Sequence, residues 1–362
     1  MTDTVAAAFS IAGRPIGPGH PVYIIAELSA NHGHDEQVAT DLVRAAAAGG
    51  ADAVKLQTYT PDTITIDSDA PPFRTGSESL WSGSTLYELY REGTMPWEWQ
   101  PRLKTLAESL GMDCFASPFD ATAVDFLVGM DVPAFKVASF ELVDLPLIRK
   151  MASTGRPLIM STGMATEAEI DEAIAAARAG GAAEIALLKC TSAYPSQPED
   201  VNLRAIDAMA ARWGLPVGLS DHTIGPTVPV AAVALGACIV EKHMTLSAGD
   251  TTLDATFSLD RDAFREMVDA VRVTERALGS TRIGPTDSEA ESRRFRRSLF
   301  VVEDIAAGEL LTEHNVRSIR PADGLHTRHY EEVLGRRAAR PIERGTPLAF
   351  EVLADPEDPP AG

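Results

Sequence analysis

Cysteine is scarce: the 362-residue chain has three, Cys114, Cys190 and Cys238, all in apolar segments and none in a CxxC pair. An odd set without that spacing argues against a disulfide framework or a thiolate zinc site and predicts buried free thiols. No apolar run is long enough to span a bilayer. The opening MTDTVAAAFSIAGRP lacks the basic stretch and long apolar segment of a secretory signal, so the expected compartment is the cytoplasm. Positive charge is also short: 32 basic against 52 acidic side chains give a formal charge of −20, which disfavours nucleic acid and anionic membrane as partners. No GxGxxG follows the first strand-like run, which argues against a dinucleotide-binding open sheet.

What is present is the composition of an ordinary folded protein, 45% apolar and 23% charged, with length for about two domains. Eight short apolar or β-branched runs, at 22–28, 53–59, 113–119, 134–139, 157–162, 185–190, 216–221 and 238–244, alternate with Ala-rich stretches. Those stretches repeat apolar residues at i, i+3 and i+4 and end in Gly, which is helix patterning with a stop signal. The alternation predicts an α/β protein, a (β/α)8 TIM barrel over 21–280 after an N-terminal extension, 1–20. The connection 60–96 is too long for an ordinary βα loop and carries Trp81, Tyr87 and Tyr90, with Trp97 and Trp99 just beyond. Its aromatics either cover a sugar at the barrel mouth or pack against the barrel. After a helix at 261–278 comes a linker, 281–297, with a basic cluster at Arg293, Arg294, Arg296 and Arg297. A small β-rich module is expected over 298–353, with strand-like runs SLFVVEDI, VRSIRP and RAARPI, then a flexible tail, 354–362.

Lysine is the rarest charged residue, six against twenty-six arginines, yet Lys55, Lys136, Lys189 and Lys242 lie inside apolar strands, where lysine is seldom buried unless paired. Strand alternation puts Lys55 with Gln57, Ser220 with His222, and Glu241 with His243 on common faces near strand C-termini, where barrel enzymes assemble their sites. Glu27, Ser117, Ser139, Glu141, Thr191 and Tyr194 hold equivalent ends of other strands. Lysines and small hydroxyls at one mouth predict a phosphate or carboxylate ligand. His222 and His243, on neighbouring strand ends, suit one divalent ion of the Mn²⁺, Co²⁺ or Mg²⁺ type. Glu27 and Glu141 are candidates for acid/base work or for holding sugar hydroxyls. Asn31 is a candidate substrate contact and His34 is expected to face solvent. Structural ion pairing is the competing reading of the strand lysines, Lys189 and Lys242 above all.

The segments IIAELSANHG, AVKLQTYTPDTITID, GSTLYELYREGTMPWEWQ, FASPFD, PAFKVASFE, STGMAT, KCTSAYPS, GLSDHTIG and VEKHMTL resemble, in order, the sialic acid synthase family, which condenses phosphoenolpyruvate with an amino sugar. Residues 298–353 resemble the antifreeze-like (SAF) domain that ends these synthases. Within the family, ELSANHG, TYTPDTITID, the segment before PWEW, and VASFE look most like the members that take 2,4-diacetamido-2,4,6-trideoxy-L-altrose. N-acetylmannosamine and a legionaminate precursor are the alternative acceptors. The resemblance implies that His222 and His243 hold a divalent metal, Mn²⁺ foremost. It implies that Lys55, Ser117, Lys136, Ser139, Ser192 and Ser220 surround phosphoenolpyruvate and that Glu27 manages a water or a proton. Gln57, Glu141, Tyr194 and Asp254 would bind the sugar, with Arg320 reaching in from the other subunit of a domain-exchanged homodimer. Three positions depart from the family pattern: Ser192 stands where Asn is usual, the Gly-Pro before Asp254 is missing, and RPADG replaces RPGxG. More distant readings are a Schiff-base aldolase using Lys189 or Lys136 and a non-catalytic sugar-binding protein.

Overall fold

The computed structural model describes residues 9–76 and 82–354. Two short strands, β1 (Phe9–Ile11) and β2 (Arg14–Ile16), pair antiparallel across a turn in which Ala12 and Gly13 both have positive φ, 49° and 79°. That geometry matches the twist of a two-residue hairpin. Phe9, Ile11 and Ile16 belong to the barrel's hydrophobic core, so part of the segment expected as an extension is integral to the barrel unit.

Eight parallel strands follow: β3 (Tyr23–Glu27), β4 (Ala53–Thr58), β5 (Asp113–Pro118), β6 (Phe135–Val137), β7 (Leu158–Ser161), β8 (Ile185–Cys190), β9 (Val217–Asp221) and β10 (Ile239–His243). Each pairs with its neighbours in sequence, and β10 closes the barrel on β3. Helices between them cover the outside. The first, Glu36–Gly49, shows how local sequence sets the limits: the Asp35 side chain accepts the N–H groups of Gln37 and Val38, and Gly50 ends the helix at φ 85°. The helix expected at 261–278 forms over Arg261–Leu278.

The chain divides into two compact units, Met1–Gly279 and Ser280–Gly362. The second has its own apolar cluster, including Leu299, Val301, Ile305, Leu311 and Val316, beneath an antiparallel pair, β11 (Ser298–Val301) and β12 (Val316–Ile319). The third expected strand, RAARPI, does not form. Arg337 and Ile342 make isolated bridges to Leu310 and Ile305, and between those bridges the facing segment turns, with the Glu309 N–H bonded to the Ala306 carbonyl and Gly308 at φ 79°, which leaves no continuous ladder. The three cysteines are buried and free, as expected.

The long connection after β4 contains a helical turn, Pro61–Ile64, and a helix, Leu86–Gly93, before the regular barrel helix Gln100–Ser109. Thr85 and Glu88 start the middle helix with a reciprocal capping box.

Strand parity separates the four lysines. Lys55 and Lys136 point into the barrel, whereas Lys242, with parity opposite to Glu241 and His243, points outward and pairs with Asp221 at 2.6 Å. Asp221 also accepts from the N–H and hydroxyl of Thr223, and Lys242 donates to the Thr223 carbonyl, so both charges are fully buried and satisfied. Breaking such a pair by removing one partner leaves an uncompensated charge, at a cost of about 3–5 kcal/mol. Lys242→Met should therefore lower unfolding stability by an amount of that order in urea titrations, and adding Asp221→Leu should not impose a second loss of the same size.

Candidate active site

The inward parity of the strands brings Glu27, Lys55, Gln57, Lys136, Ser220 and Glu241 to the C-terminal end of the barrel. Glu241 organises this floor. Its Oε1 lies 3.1 Å from Lys55 Nζ and 3.6 Å from Lys136 Nζ, and it accepts from Ser220 Oγ at 3.2 Å. Lys55 Nζ also lies 3.0 Å from Glu27 Oε2, and Glu27 Oε1 accepts from Gln57 Nε2 at 2.9 Å. Lys136 Nζ donates to Ser161 Oγ at 2.6 Å.

Burial opposes the charge on each of these groups, and the partners decide the outcome. Lys55 is held above its ordinary value because Glu241 and Glu27 outweigh burial. Lys136 is lowered by burial, which the pull of Glu241 only partly offsets. Burial likewise pushes Glu27 up despite Lys55, whereas Glu241 is held down because Lys136 and Lys55 together overcome its burial. Glu27 thus keeps its proton more readily than an ordinary carboxyl group. An anion placed against Lys136 would favour its charged form, as the expected phosphate or carboxylate ligand requires.

His222 and His243 face each other at the same mouth, with ring centroids 5.2 Å apart. His222 Nδ1 lies 3.0 Å from the Thr191 carbonyl, which fixes an Nδ1–H tautomer, and His243 Nδ1 lies 3.2 Å from Ser29 Oγ. Both rings therefore engage the protein through Nδ1, the usual support for an imidazole that ligates through Nε2. Burial, then His222 and the nearby lysines, hold His243 well below its ordinary value, whereas His222 is held above its own because Cys190 and the Thr191 carbonyl outweigh burial. Among the described residues no group of three or more His, Cys, Asp or Glu is arranged to hold a metal. The two imidazoles by themselves are a two-nitrogen donor set, which would leave the remaining positions of a divalent ion to water and substrate oxygens. Cys190 is also inward-facing, and His222 brings its thiol down to about 7 against the effect of burial.

These groups open into a cavity of about 600 Å³ that Ser139, Glu141, Ser161, Ser192, Tyr194 and Asp254 also line. The Tyr194 ring packs on His222 at 4.5 Å. Burial raises Asp254 although the Ser29 hydroxyl and the Ala30 N–H bond to it. Gly163 donates its N–H to Ser139 Oγ at 3.2 Å, and a Cβ at this position would collide with the Ser139 and Ser192 hydroxyls, so glycine permits their close approach.

Other candidates lie apart from this group. Ser117 faces the barrel interior opposite Gln57, buried with its hydroxyl unpartnered, but does not line the cavity. Arg320 is exposed in the second unit. Asn31 is a structural tether rather than a substrate contact: its amide donates to the Met244 carbonyl and Ser258 Oγ and its oxygen accepts from Thr252. Lys189 points away from the mouth and donates to the Cys190 carbonyl, which leaves no basis for a Schiff base there. His34 is exposed, as expected. Trp97 donates to the Tyr59 carbonyl and Trp99 packs on His32; of the expected aromatics Tyr90 reaches the cavity, and Trp81 lies outside the described residues. Two residues of the polar floor, Ser161 and Glu241, had no assigned role from sequence. The parity of Glu241 with His243 and the position of Ser161 at a strand end, like Ser220, were the available signals.

A TIM barrel with buried lysines, hydroxyls and paired imidazoles at the C-terminal strand ends defines an enzyme site for an anionic substrate. The chain belongs to the NeuB family, whose model matches residues 42–282, and a SAF domain matches residues 296–354. It is 44% identical to the pseudaminic acid synthase of Helicobacter pylori, covering 91% of this chain and 97% of that protein. It is 43% identical to that of Campylobacter jejuni, covering 90% and 95%. Among solved structures it is similar to the N-acetylneuraminic acid synthetase of Leptospira borgpetersenii in complex with citrate, at TM-score 0.71 and 28% identity, covering 79% of this chain and 95% of that one.

Burial pushes Glu141 from 4.5 up to about 7. Because the folded value lies above the unfolded one, the group's contribution to stability is full below pH 4.5 and lost as pH rises through about 7. Urea titrations from pH 4 to 8 should show wild type losing stability relative to Glu141→Gln over that window and no further divergence above it. A constant difference would rule out the raised carboxyl.

Proposed function

We propose that the chain condenses phosphoenolpyruvate with 2,4-diacetamido-2,4,6-trideoxy-L-altrose and water to give pseudaminic acid and phosphate. The observation that carries the chemistry is the Lys55–Glu241–Lys136 cluster beneath two imidazoles in one cavity. The acceptor rests on the two pseudaminic acid synthases, similar over nine-tenths of the chain. In this reading C3 of phosphoenolpyruvate bonds to the aldehyde carbon of the open-chain sugar and the aldehyde oxygen takes a proton. Water adds at C2, and the C2–O bond to phosphate breaks as the ketone forms. Lys55 and Lys136, with Ser139, Ser161, Ser192 and Ser220, bind the carboxylate and phosphate oxygens. Glu27, raised by burial and held by Gln57, holds and moves the proton of the incoming water. Gln57, Glu141, Tyr194 and Asp254 orient the sugar. A divalent ion, Mn²⁺ first, held by Nε2 of His222 and His243 would supply Lewis-acid polarisation of the aldehyde.

The same reading places the enzyme in the cytoplasm, where phosphoenolpyruvate is made. It makes the working form a homodimer in which the exposed Arg320 of one copy serves the barrel of the other. Mixed Arg320→Ala and His222→Ala subunits should then recover activity after subunit exchange, and verified exchange without recovery would sink the shared site.

Phosphate release from phosphoenolpyruvate should require both the bis-acetamido acceptor and a divalent ion, falling at least 100-fold after chelation and returning with Mn²⁺. Release with N-acetylmannosamine instead would replace the acceptor. Chelator-insensitive turnover, with lysine trapped by borohydride, would replace the mechanism.

A further inference from the structure

The helix Leu86–Gly93 carries an apolar face that the barrel's hydrophobic core does not cover. Leu86, Leu89, Tyr90 and Gly93 stand at i, i+3, i+4 and i+7, and all four line the cavity. Leu86, Leu89 and Tyr90 are each half-buried, and none belongs to the barrel's hydrophobic core or to the partly buried residues packed against it. An amphipathic helix ordinarily spends such a stripe on the protein core. Here the stripe borders the reaction cavity, and Ile64 extends it. The cavity therefore combines an ionic floor on the strands with an apolar helical wall on the long connection, beside which Arg74 and Thr75 of the same connection also line it. Phosphoenolpyruvate, small and anionic, has use for the first alone. The wall calls for a second substrate that carries methyl groups.

The wall is also held in place. The Thr85–Glu88 capping box fixes its start. At its end His34 Nε2 lies 2.9 Å from the Arg91 carbonyl, and Thr94 donates to the Tyr59 carbonyl at 2.8 Å. A Cβ on Gly93 would come within 2.8 Å of the Tyr59 hydroxyl, so this helix end lies tightly against the tyrosine. Tyr90 packs edge-on against Tyr59, with ring centroids 5.9 Å apart, and burial and the charge of Glu141 keep its phenol protonated. A socket built this way needs little reordering when a ligand enters.

We propose that the helix Leu86–Gly93 selects the sugar acceptor. Leu86 and Leu89, with Ile64, receive the methyl groups that set a 6-deoxy, bis-acetamido sugar apart from a hexosamine bearing hydroxyls, while Tyr90 donates to an acetamido carbonyl beside Glu141. The inference rests on the condensation proposed above and names the residues that discriminate within it. An apolar socket discriminates modestly, by roughly 10–200-fold between a methyl and its absence or a hydroxyl in its place.

The test compares kcat/KM for 2,4-diacetamido-2,4,6-trideoxy-L-altrose with that for N-acetylmannosamine in wild type, Leu86→Asn and Leu89→Asn, with the KM for phosphoenolpyruvate measured in each. Each variant should lower the ratio by about 10-fold or more, within the range of an apolar socket, and leave the phosphoenolpyruvate KM within about twofold, which also shows that the barrel is folded. Leu89→Met should keep the wild-type ratio. An unchanged ratio in both Asn variants, or equal losses for both sugars, overturns the selecting role. Wild type preferring N-acetylmannosamine overturns the acceptor assignment itself, a result visible without either variant.

Discussion

The site depends on one buried carboxylate. Glu241 of β10 joins Lys55 of β4, Lys136 of β6 and Ser220 of β9, so four strands converge on a single side chain. An exposed ion pair is worth about 0–1 kcal/mol, but Lys55 and Lys136 are almost wholly buried, and the charge of each partner rests on the others. The arrangement serves an anionic substrate better than it serves stability. Glu241 leaves one carboxylate oxygen without a hydrogen-bond partner, and Lys136 is charged less readily than an ordinary lysine. Both deficits lie at the wall of the cavity, where a phosphate or carboxylate can compensate the second.

The barrel makes this possible through parity. Successive residues of a strand face opposite ways, so Lys242 is spent on Asp221 outside the barrel while Glu241 and His243 beside it face in. The same alternation puts Cys190 inside and Lys189 outside. Two lysines are thereby committed to structure and two to the site, with no change in residue type.

Much of this was legible beforehand. The eight strands are buried on both faces and read as short β-branched runs, so their order and ends were visible, as was the register that sets Lys55 with Gln57 and Glu241 with His243. The hairpin at 9–16 was not, because three-residue strands carry too little pattern to be told from a tail. RAARPI was misleading for a related reason: its composition suits a strand, but the segment that faces it turns over 306–309 and offers no continuous partner. Asn31 sits in a loop where a polar residue can tether or bind, and only its three partners, far away in sequence, decide for the tether. Glu241 had the right parity but could not be ranked above other acidic strand residues until the distances to both lysines were known.

The central claim is that the paired lysines and the facing imidazoles form one reaction site. A crystal structure with phosphoenolpyruvate and Mn²⁺ tests it most directly. The account predicts carboxylate and phosphate oxygens at roughly 2.7–3.2 Å from Lys55 and Lys136, with the ion between His222 and His243. Phosphoenolpyruvate bound away from these lysines, or a covalent lysine adduct, would contradict it.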